Sequence, residues 1–426
     1  MSSRPIAFDL TRLITRLRHA SPTGIDRVDL AYARHVLAGG GPRYGVVTSA
    51  VGPRVIDREQ ASAIVEAVAA GWVEDVRPED DPVYLRLIGA HGEKRAGAGS
   101  ARRSALRRRQ IQAGTSLRIL RGSSIDALPP GTIYLHSSHL RLDLPGRFDW
   151  LYERQDIKPV FFVHDLIPIS HPEYGRPGEA ARHEQRMKSI ARHAAAVIVN
   201  SADVGARFAA YLAAKGFAPR PITVAPLGVE PIFSALDGDA PAFERPTFLI
   251  CGTIESRKNH LLLLQVWRDL AARHGAATPR LVIVGRRGWE VENVIDLLDR
   301  CPTIAPHVTE ITGLSTPGLA RLMRGATALL MPSFIEGYGL PVVEAAASGL
   351  PVVASDIPVH REIGGHYAQF LDPLDGPGWR RAIEDLSAPN SGLRESLAAR
   401  LDGFAPPNWP DHLVKLDTVL ATLSQT

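Results

Sequence analysis

Short hydrophobic runs alternate with amphipathic segments along most of the 426-residue chain. In the first half the runs cover residues 5–10, 44–51, 131–137, 158–166, 196–201 and 221–226. In the second half they cover residues 247–253, 280–286, 307–313, 326–333, 350–355 and 368–373. Strands that are hydrophobic throughout are typical of parallel sheets covered on both faces. The pattern therefore predicts an α/β protein with two doubly wound parallel sheets.

The periodicity is lost around residues 235–246, where Pro, Gly and Asp concentrate, so a linker is predicted there. We expect an N-terminal Rossmann-like domain over residues 1–236 and a C-terminal one over residues 247–405. The amphipathic tail within residues 406–426 is expected to form a final helix, which either stands apart or packs back on the N-terminal domain. Ligands of doubly wound sheets gather at the carboxyl ends of the strands, so a site is predicted in a central cleft between two facing sheets.

Composition narrows the class of protein. Hydrophobic residues make up 45% of the chain and charged residues 22%, as in ordinary globular proteins. The two cysteines, Cys251 and Cys301, form neither a disulfide framework nor a metal-binding pattern, which favours a reducing compartment. The N-terminus lacks a signal-peptide core, and no window of about 20 apolar residues is free of charge. We therefore expect a cytoplasmic protein, either soluble or peripheral on the inner face of the plasma membrane.

Positive charge is concentrated in one segment, although the net charge of the chain is only +4. Nine basic residues and no acidic residue lie between Lys94 and Arg121. Such a segment fits a solvated basic face, or contact with anionic membrane lipid or a lipid-diphosphate acceptor. No interleaved aromatic residues or binding motif accompany it, so a nucleic-acid partner is not expected.

Residues 334–344 read FIEGYGLPVVE and follow a predicted strand. Pro341 suits the first turn of a helix, because its missing N–H needs no partner there. Gly337 and Gly339 allow the backbone to approach a ligand closely. The backbone amides of Tyr338, Gly339 and Leu340, together with the helix dipole, predict an anion site that suits a phosphate group.

The carboxylates of Glu336 and Glu344 flank this anion site and would repel a phosphate. Ionised carboxylates accept hydrogen bonds from hydroxyl groups without charge conflict. The pattern therefore favours a nucleotide sugar, with sugar hydroxyls at Glu336 and the ribose at Glu344. The alternative is that Glu344 serves only its own helix and the glycines only turn the chain.

Two cations, Arg257 and Lys258, follow another predicted strand end in the sequence CGTIESRKN. They could face the same diphosphate, lysine as a point charge and arginine as a bidentate fork. A solvated helix start is the alternative interpretation of this stretch.

These motifs together resemble the large retaining glycosyltransferase family 4. The resemblance rests on EGYGLPVVE, on GTIESRKN at residues 252–259 and on VHDLIP at residues 163–168, and it covers residues 5 to about 400. It implies the GT-B fold, the contacts of Glu336 and Glu344 with donor sugar and ribose, and neutralisation of the diphosphate by Arg257 and Lys258. It also places His164 beside the donor sugar, where Asp165 could orient it, whereas purely structural roles are the alternative for both residues.

The sequence departs from the family pattern at two positions. Gly24 stands where the family often has two adjacent glycines, and Thr253 stands where many members carry an arginine, whose charge Arg257 could supply. The resemblance places the nucleobase near Ile311 and Leu314. The expected catalytic residues are His164, Asp165, Arg257, Lys258 and Glu336. The expected donor-binding residues are Gly24, Thr253, Arg257, Lys258, Ile311, Leu314, Glu336, Gly337, Tyr338, Gly339, Leu340 and Glu344.

The family implies transfer of a hexose, with retention of configuration, from a nucleotide-diphosphate sugar to a polysaccharide or lipid-linked glycan, such as a lipopolysaccharide. Residues 163–174 (VHDLIPISHPEY) and 284–289 (VGRRGW) look most like bacterial mannosyltransferases of polysaccharide biosynthesis, which makes GDP-mannose the first donor and UDP-glucose an alternative. No Asp-x-Asp motif lies in a suitable loop, so neither a metal nor another cofactor is expected. The alternative classes are a pyridoxal-phosphate-dependent glycan phosphorylase and a non-catalytic assembly protein.

Overall fold

The chain forms two compact units in a computed structural model, which describes residues 4–16, 23–49, 52–70, 72, 76–89, 122–235 and 238–425. The first unit is made of the described residues within 1–73, 94–228 and 409–426, and the second of those within 74–93 and 229–408. The basic segment between Lys94 and Arg121, with its predicted lipid contact, lies outside the described residues.

Strands and helices alternate in both units. The strands are β1 (Ile6–Asp9), β2 (Arg43–Ser49), β3 (Gly52–Asp57), β4 (Ile133–His136), β5 (Lys158–Val163), β6 (Ala196–Val199), β7 (Ile222–Val224), β8 (Thr247–Cys251), β9 (Arg280–Val284), β10 (Val308–Ile311), β11 (Ala328–Met331), β12 (Val352–Ser355) and β13 (Gln369–Leu371). The described helices are α1 (Thr11–Arg16), α2 (Gly24–Ala38), α3 (Arg58–Ala69), α4 (Pro82–Leu87), α5 (Trp150–Glu153), α6 (Ile167–Ser170), α7 (Glu179–His193), α8 (Ala202–Ala214), α9 (His260–His274), α10 (Glu292–Arg300), α11 (Thr316–Gly325), α12 (Leu340–Ala347), α13 (Pro358–Gly364), α14 (Gly376–Ser387), α15 (Gly392–Leu401) and α16 (Trp409–Gln425).

The first unit is built on a seven-stranded sheet in the order β3-β2-β1-β4-β5-β6-β7. All neighbouring strands are parallel except β2 and β3, which pair antiparallel at one edge. Strands β1, β4 and β6 are buried at every residue, as expected for a sheet covered on both faces. Phe8, Phe161 and Phe162 are fully buried in its core.

The second unit is built on a six-stranded parallel sheet in the order β10-β9-β8-β11-β12-β13. The indoles of Trp267 and Trp379 are fully buried beside it, and each donates its N–H to a backbone carbonyl. Helix starts are fixed locally, since Ser315 and Ser391 each accept the amide of the third residue beyond them. The two parallel sheets predicted from the hydrophobic runs are confirmed.

The unit boundaries differ from the predicted domain boundaries in two places. Residues 76–89, placed by sequence in the N-terminal domain, belong to the second unit. Asp81 accepts the amide of Ser315 at 2.8 Å, and Arg280 donates to the carbonyl of Leu87 at 3.2 Å. The chain also enters the second unit at Val229, before the predicted linker, because Phe233 is already fully buried.

The last helix, α16, belongs to the first unit. His412 bonds the hydroxyl of Tyr32 and the carbonyl of Pro226, both at 2.8 Å. His35 contacts Asp417 at 2.9 Å. Within the described residues, no helix combines the length and the hydrophobicity that crossing a membrane requires.

Candidate functional site

The loop between β11 and α12 contains the glycine-flanked motif. Gly339 adopts a left-handed conformation with φ of 100° and directly precedes α12, and Pro341 lies in the first turn. A Cβ atom on Gly339 would lie 2.9 Å from Cδ1 of Ile363. Glycine is therefore required here both by the backbone angle and by the space. The helix begins where the sequence predicts, and the amide of Val342 donates to the carbonyl of Gly339 at 2.9 Å.

The carboxylate of Glu336 holds three donors at once. Nη1 of Arg257 lies 2.5 Å from Oε2, and Nζ of Lys258 donates to Oε1. The Ser333 hydroxyl donates to Oε1 at 2.8 Å. Glu336 is only 6% exposed, so this is a largely desolvated cluster. The structure thus brings three predicted site residues together. It pairs the carboxylate with the cations, whereas the sequence predicts that Glu336 binds hydroxyls and that the cations bind phosphate.

Electrostatics keep this cluster ionised. Burial alone would raise the pKa of Glu336, but the charges of Arg257 and Lys258 outweigh it and hold that pKa well below its usual range. Burial lowers the pKa of Lys258, and the opposite charge of Glu336 counteracts this. Removing one member of such a cluster leaves a buried charge uncompensated, which typically costs about 3–5 kcal/mol.

The loop after β8 brings the cations to this position. Gly252 has φ of 130°, and a Cβ atom on it would lie 3.2 Å from Cε of Lys258, so the lysine stem passes directly over the glycine. Asn259 is left-handed and donates to the carbonyls of Pro332 and Pro373. The amide of Phe334 donates to the carbonyl of Arg257 at 2.8 Å. These bonds hold the loop after β8 and the loop after β11 against each other.

Four further predicted residues of this unit lie at or after the carboxyl ends of its strands or on the helix that follows β11. Glu344 is 5% exposed on α12, and its charge, together with the larger effect of burial, raises the pKa of Cys251 at the end of β8. Thr253 lies half-buried directly after that strand. Ile311 ends β10 and Leu314 follows it, both half-buried and two strands away from β8.

His164 and Asp165 follow β5 in the first unit. Nε2 of His164 lies 2.7 Å from the carbonyl of Ser137, which can only accept, so this nitrogen carries the proton. Burial lowers the pKa of His164 to about 4, which makes the imidazole neutral near pH 7. Asp165 does not supply that hydrogen bond to the ring, but its charge acts on His164 and counteracts part of the fall in pKa. Its Oδ1 atom accepts the amide of Ile167 at 3.0 Å.

The first unit also contains the predicted residue Gly24 and a polar turn after β6. Gly24 is the exposed first residue of α2 and is not among the glycines with positive φ, so the local backbone does not require glycine. Ser201 caps α8, because its hydroxyl oxygen accepts the amide of Val204 at 3.2 Å. Asn200 donates to the carbonyl of His164 at 3.0 Å and so supports the turn after β5.

Three buried polar residues beside the Glu336 loop were not among the predicted site residues. Ser333 contacts the carboxylate, and Ser355 and His360 lie fully buried behind it. The available signal was the stretch SDIPVH at residues 355–360, which follows β12 at the same edge of the sheet. Among the described residues, no group of three or more His, Cys, Asp or Glu side chains is placed to hold a metal ion.

Comparison with known proteins shows which family and which relatives are similar to the part of the chain that contains this site. Residues 245–388, which contain both loops of the Glu336 cluster, match the family described as Glycosyl transferases group 1. The chain resembles the glycosyltransferases of family 4. The serotype-specific mannosyltransferase WbdA of Escherichia coli is 28% identical over 242 residues, which are 54% of this chain and 29% of WbdA. The O-antigen chain mannosyltransferase RfbU of Salmonella typhimurium is 34% identical over 109 residues, which are 25% of this chain and 30% of RfbU. The chain thus spans less than a third of the length of either relative.

The fold has counterparts among solved structures. HepE of Anabaena, crystallised in complex with UDP, superposes with a TM-score of 0.58 over 99% of this chain and 100% of HepE. The two sequences are 13% identical, so this likeness concerns the fold alone. It identifies the two α/β units as those of a GT-B protein.

Proposed function

We propose that this protein is a glycosyltransferase that moves a hexose, with mannose as the first candidate, from a nucleotide-diphosphate sugar to a polysaccharide or lipid-linked glycan. The observation that carries the proposal is the buried cluster of Glu336, Arg257 and Lys258 beside the start of α12. Mannose rests on the similarity to mannosyltransferases and not on a contact in the structure.

The leaving group determines which charge this cluster must stabilise. Cleavage of the donor releases a diphosphate, on which negative charge builds up in the transition state. Arg257 and Lys258 supply two fixed cations, and the amides that open α12 supply oriented donors. Such preorganised groups stabilise the developing charge without the help of a metal ion, so we expect activity without one. Glu336 orients both cations and, once a diphosphate engages them, becomes available to hydroxyls of the sugar.

His164 is suited to contact but not to proton abstraction. Its Nε2–H is committed to Ser137, and its pKa of about 4 leaves it a weak base. We propose that it contacts the donor sugar, as the family resemblance implies, because a neutral imidazole can accept a hydroxyl hydrogen bond and exclude water. On the basis of the same resemblance we expect retention of configuration. In that scheme the leaving phosphate oxygen takes the proton of the acceptor.

The test is transfer and donor hydrolysis across a panel of nucleotide sugars, in the presence and absence of a chelator. We expect GDP-mannose to be used best, and UDP-glucose is the main alternative. Lys258→Met, which keeps the length of the stem but removes the charge, should lower turnover by about a hundredfold or more. Lys188→Met, at a surface ion pair with Glu184 on α7, is the control and should leave turnover unchanged.

Two outcomes would contradict the proposal. Turnover of no donor, beside an active control enzyme, would remove the sugar-transfer function. Full turnover in Lys258→Met would show that the cluster is structural. A protein that binds GDP or UDP, as judged by a raised melting temperature, but transfers nothing would favour the non-catalytic assembly protein.

A further inference from the structure

His360 is a buried histidine behind the Glu336 loop. It lies on α13 and is fully buried. Its Nδ1 atom is 3.0 Å from the carbonyl oxygen of Ser355 and 3.1 Å from the hydroxyl of the same residue. Because a carbonyl can only accept, Nδ1 carries the proton and Nε2 has a free lone pair. Among the described residues, Nε2 has no hydrogen-bond partner.

Hydrogen bonds on both sides of Ser333, joined through the covalent structure of that residue, connect this ring to Glu336. The Ser355 hydroxyl, which accepts from Nδ1, donates to the carbonyl oxygen of Ser333. The Ser333 hydroxyl donates to Oε1 of Glu336 at 2.8 Å. Ser333 and Ser355 are both fully buried, so solvent does not compete for these bonds.

The same ring also supports the other end of the loop. A Cβ atom on Gly339 would lie 3.5 Å from Cδ2 and 3.6 Å from Nε2 of His360, so the imidazole lies directly under the backbone at the start of α12. The charges that face the ring are those of Glu336 and Lys258, which have opposite effects on its pKa. Burial dominates and lowers the pKa to about 4, so the ring is neutral at physiological pH.

We propose that His360 is a positioning residue for the diphosphate and sugar site: it holds Glu336 through Ser355 and Ser333 and supports the Gly339 backbone from below. A single rigid ring thereby fixes the carboxylate relative to the helix amides. The inference rests on the proposed function for its activity readout. It concerns a residue that contacts no substrate and acts through the loop formed by residues 333–339.

Two substitutions distinguish the effect of the hydrogen bond from Nδ1 of His360 from the effect of the shape of its ring. In His360→Asn the amide N–H can replace Nδ1–H, whereas in His360→Phe the ring remains but the donor is lost. We expect His360→Phe to lower kcat/KM for the donor by about tenfold to a hundredfold, because a misplacement of about 1 Å has such effects. His360→Asn should stay within about threefold of wild type. His366→Phe, an exposed histidine just beyond α13, is the matched control and should have no effect.

Ser355→Ala tests the path from the ring to the carboxylate. If the hydrogen bonds through Ser355 and Ser333 transmit the effect, Ser355→Ala should lose about as much activity as His360→Phe. The double variant with Ser355→Ala and His360→Phe should then lose little more activity than either single variant. Equal losses in His360→Asn and His360→Phe, or additive losses in the double variant, would overturn the inference.

Crystal structures provide a readout that does not depend on activity. In His360→Phe the Ser333 hydroxyl should lose its hydrogen bond to Glu336, and unchanged geometry would overturn the inference. Wild-type protein without turnover would instead count against the proposed function, and these crystals would still decide the role of His360. Normal wild-type turnover with a fully active His360→Phe would count against the inference alone.

Discussion

At the scale of single residues, Glu336 decides the charge of the candidate site. It contacts Arg257 and Lys258, and Arg257 also contacts Glu255 at 2.9 Å. Two positive and two negative side chains therefore stand where a diphosphate would add further negative charge. Because this buried site screens charge weakly, each carboxylate reduces the attraction of the cations for the diphosphate.

This balance predicts that Glu336→Gln binds nucleoside diphosphate more tightly while it loses sugar transfer. The amide keeps the shape but removes one negative charge, and Arg257 stays ionised because its guanidinium does not release its proton. The dissociation constant of GDP, measured by titration calorimetry at low salt, is expected to fall about tenfold, which corresponds to about 1.4 kcal/mol. Transfer should fall by about a hundredfold, because the cations are no longer oriented and the sugar loses an acceptor.

The control for this prediction is Glu384→Gln in the same unit. Glu384 is partly exposed on α14 and contacts Arg380 at 2.8 Å. Surface pairs of this kind contribute about 1 kcal/mol or less, so neither GDP binding nor transfer should change. Weaker GDP binding in Glu336→Gln than in wild type would contradict the charge argument.

At the scale of elements, local chemistry made most of the fold predictable. Each predicted run contains a strand, because buried parallel strands are hydrophobic throughout. Strand β3 was missed because it begins with Gly52 and Pro53 and lies at an antiparallel edge, where such residues are tolerated. The start of α12 was predicted correctly because glycine and proline determine the backbone conformation of the few residues around them.

The contacts of the site could not be predicted in the same way. Glu336 meets Lys258 across 78 positions of sequence, and its pairing depends on two loops held together by Asn259. His360 was missed because the stretch SDIPVH indicates a strand end but does not distinguish a supporting histidine from a core histidine. The placement of residues 76–89 in the second unit depends on Asp81, whose partner Ser315 is 234 positions away.

Asp81 links two helices of the second unit, and its loss should be costly. Oδ1 accepts the amides of Val83 and Tyr84 at the start of α4, and Oδ2 accepts the amide of Ser315 at the start of α11. Asp81 is 2% exposed, so water cannot replace these bonds. We expect Asp81→Ala to lower the free energy of unfolding of this unit by about 3 kcal/mol. Urea-induced unfolding followed by circular dichroism measures the change.

Asp375→Ala is the matched control for Asp81→Ala. Asp375 caps α14 through the amide of Gly378 at 2.9 Å, but it is partly exposed. Its replacement should cost only about 1 kcal/mol. Equal costs for the two variants would show that the contact between Asp81 and Ser315 contributes nothing and that residues 76–89 are held by other means.

At the scale of the whole molecule, buried neutral histidines occur in both units. Burial lowers the pKa of His164 to about 4 in the first unit. In the second unit burial lowers the pKa of His260 to about 3, with a further contribution from the charge of Lys258, and that of His360 to about 4. Asp29 behaves in the opposite sense, since burial raises its pKa to about 7 although Arg12 partly counteracts this.

These groups predict a loss of stability as the pH falls from about 6.5 to 4. In the unfolded chain the three histidines become protonated near their ordinary pKa of about 6.5, whereas the folded protein protonates them only at about pH 4 and below. The folded protein retains one proton on Asp29 that the unfolded chain releases. On unfolding, these four groups together take up about two protons near pH 5, which contributes a fall of about 3 kcal/mol in the free energy of unfolding for each pH unit. Burial also lowers the pKa of His139, His183 and His412, so these histidines make the fall steeper. Urea-induced unfolding at pH 7, 6 and 5 measures this slope.

One substitution measures how much a single histidine contributes to the pH dependence of the free energy of unfolding. His260→Leu removes a proton that the unfolded chain alone can bind, so the pH slope should become shallower by about 1.4 kcal/mol per pH unit near pH 5. His366→Leu, at an exposed position of the same unit, should leave the slope unchanged. A slope that stays the same in His260→Leu would mean that His260 is protonated in the folded protein as readily as in the unfolded chain, and that its burial does not govern its charge.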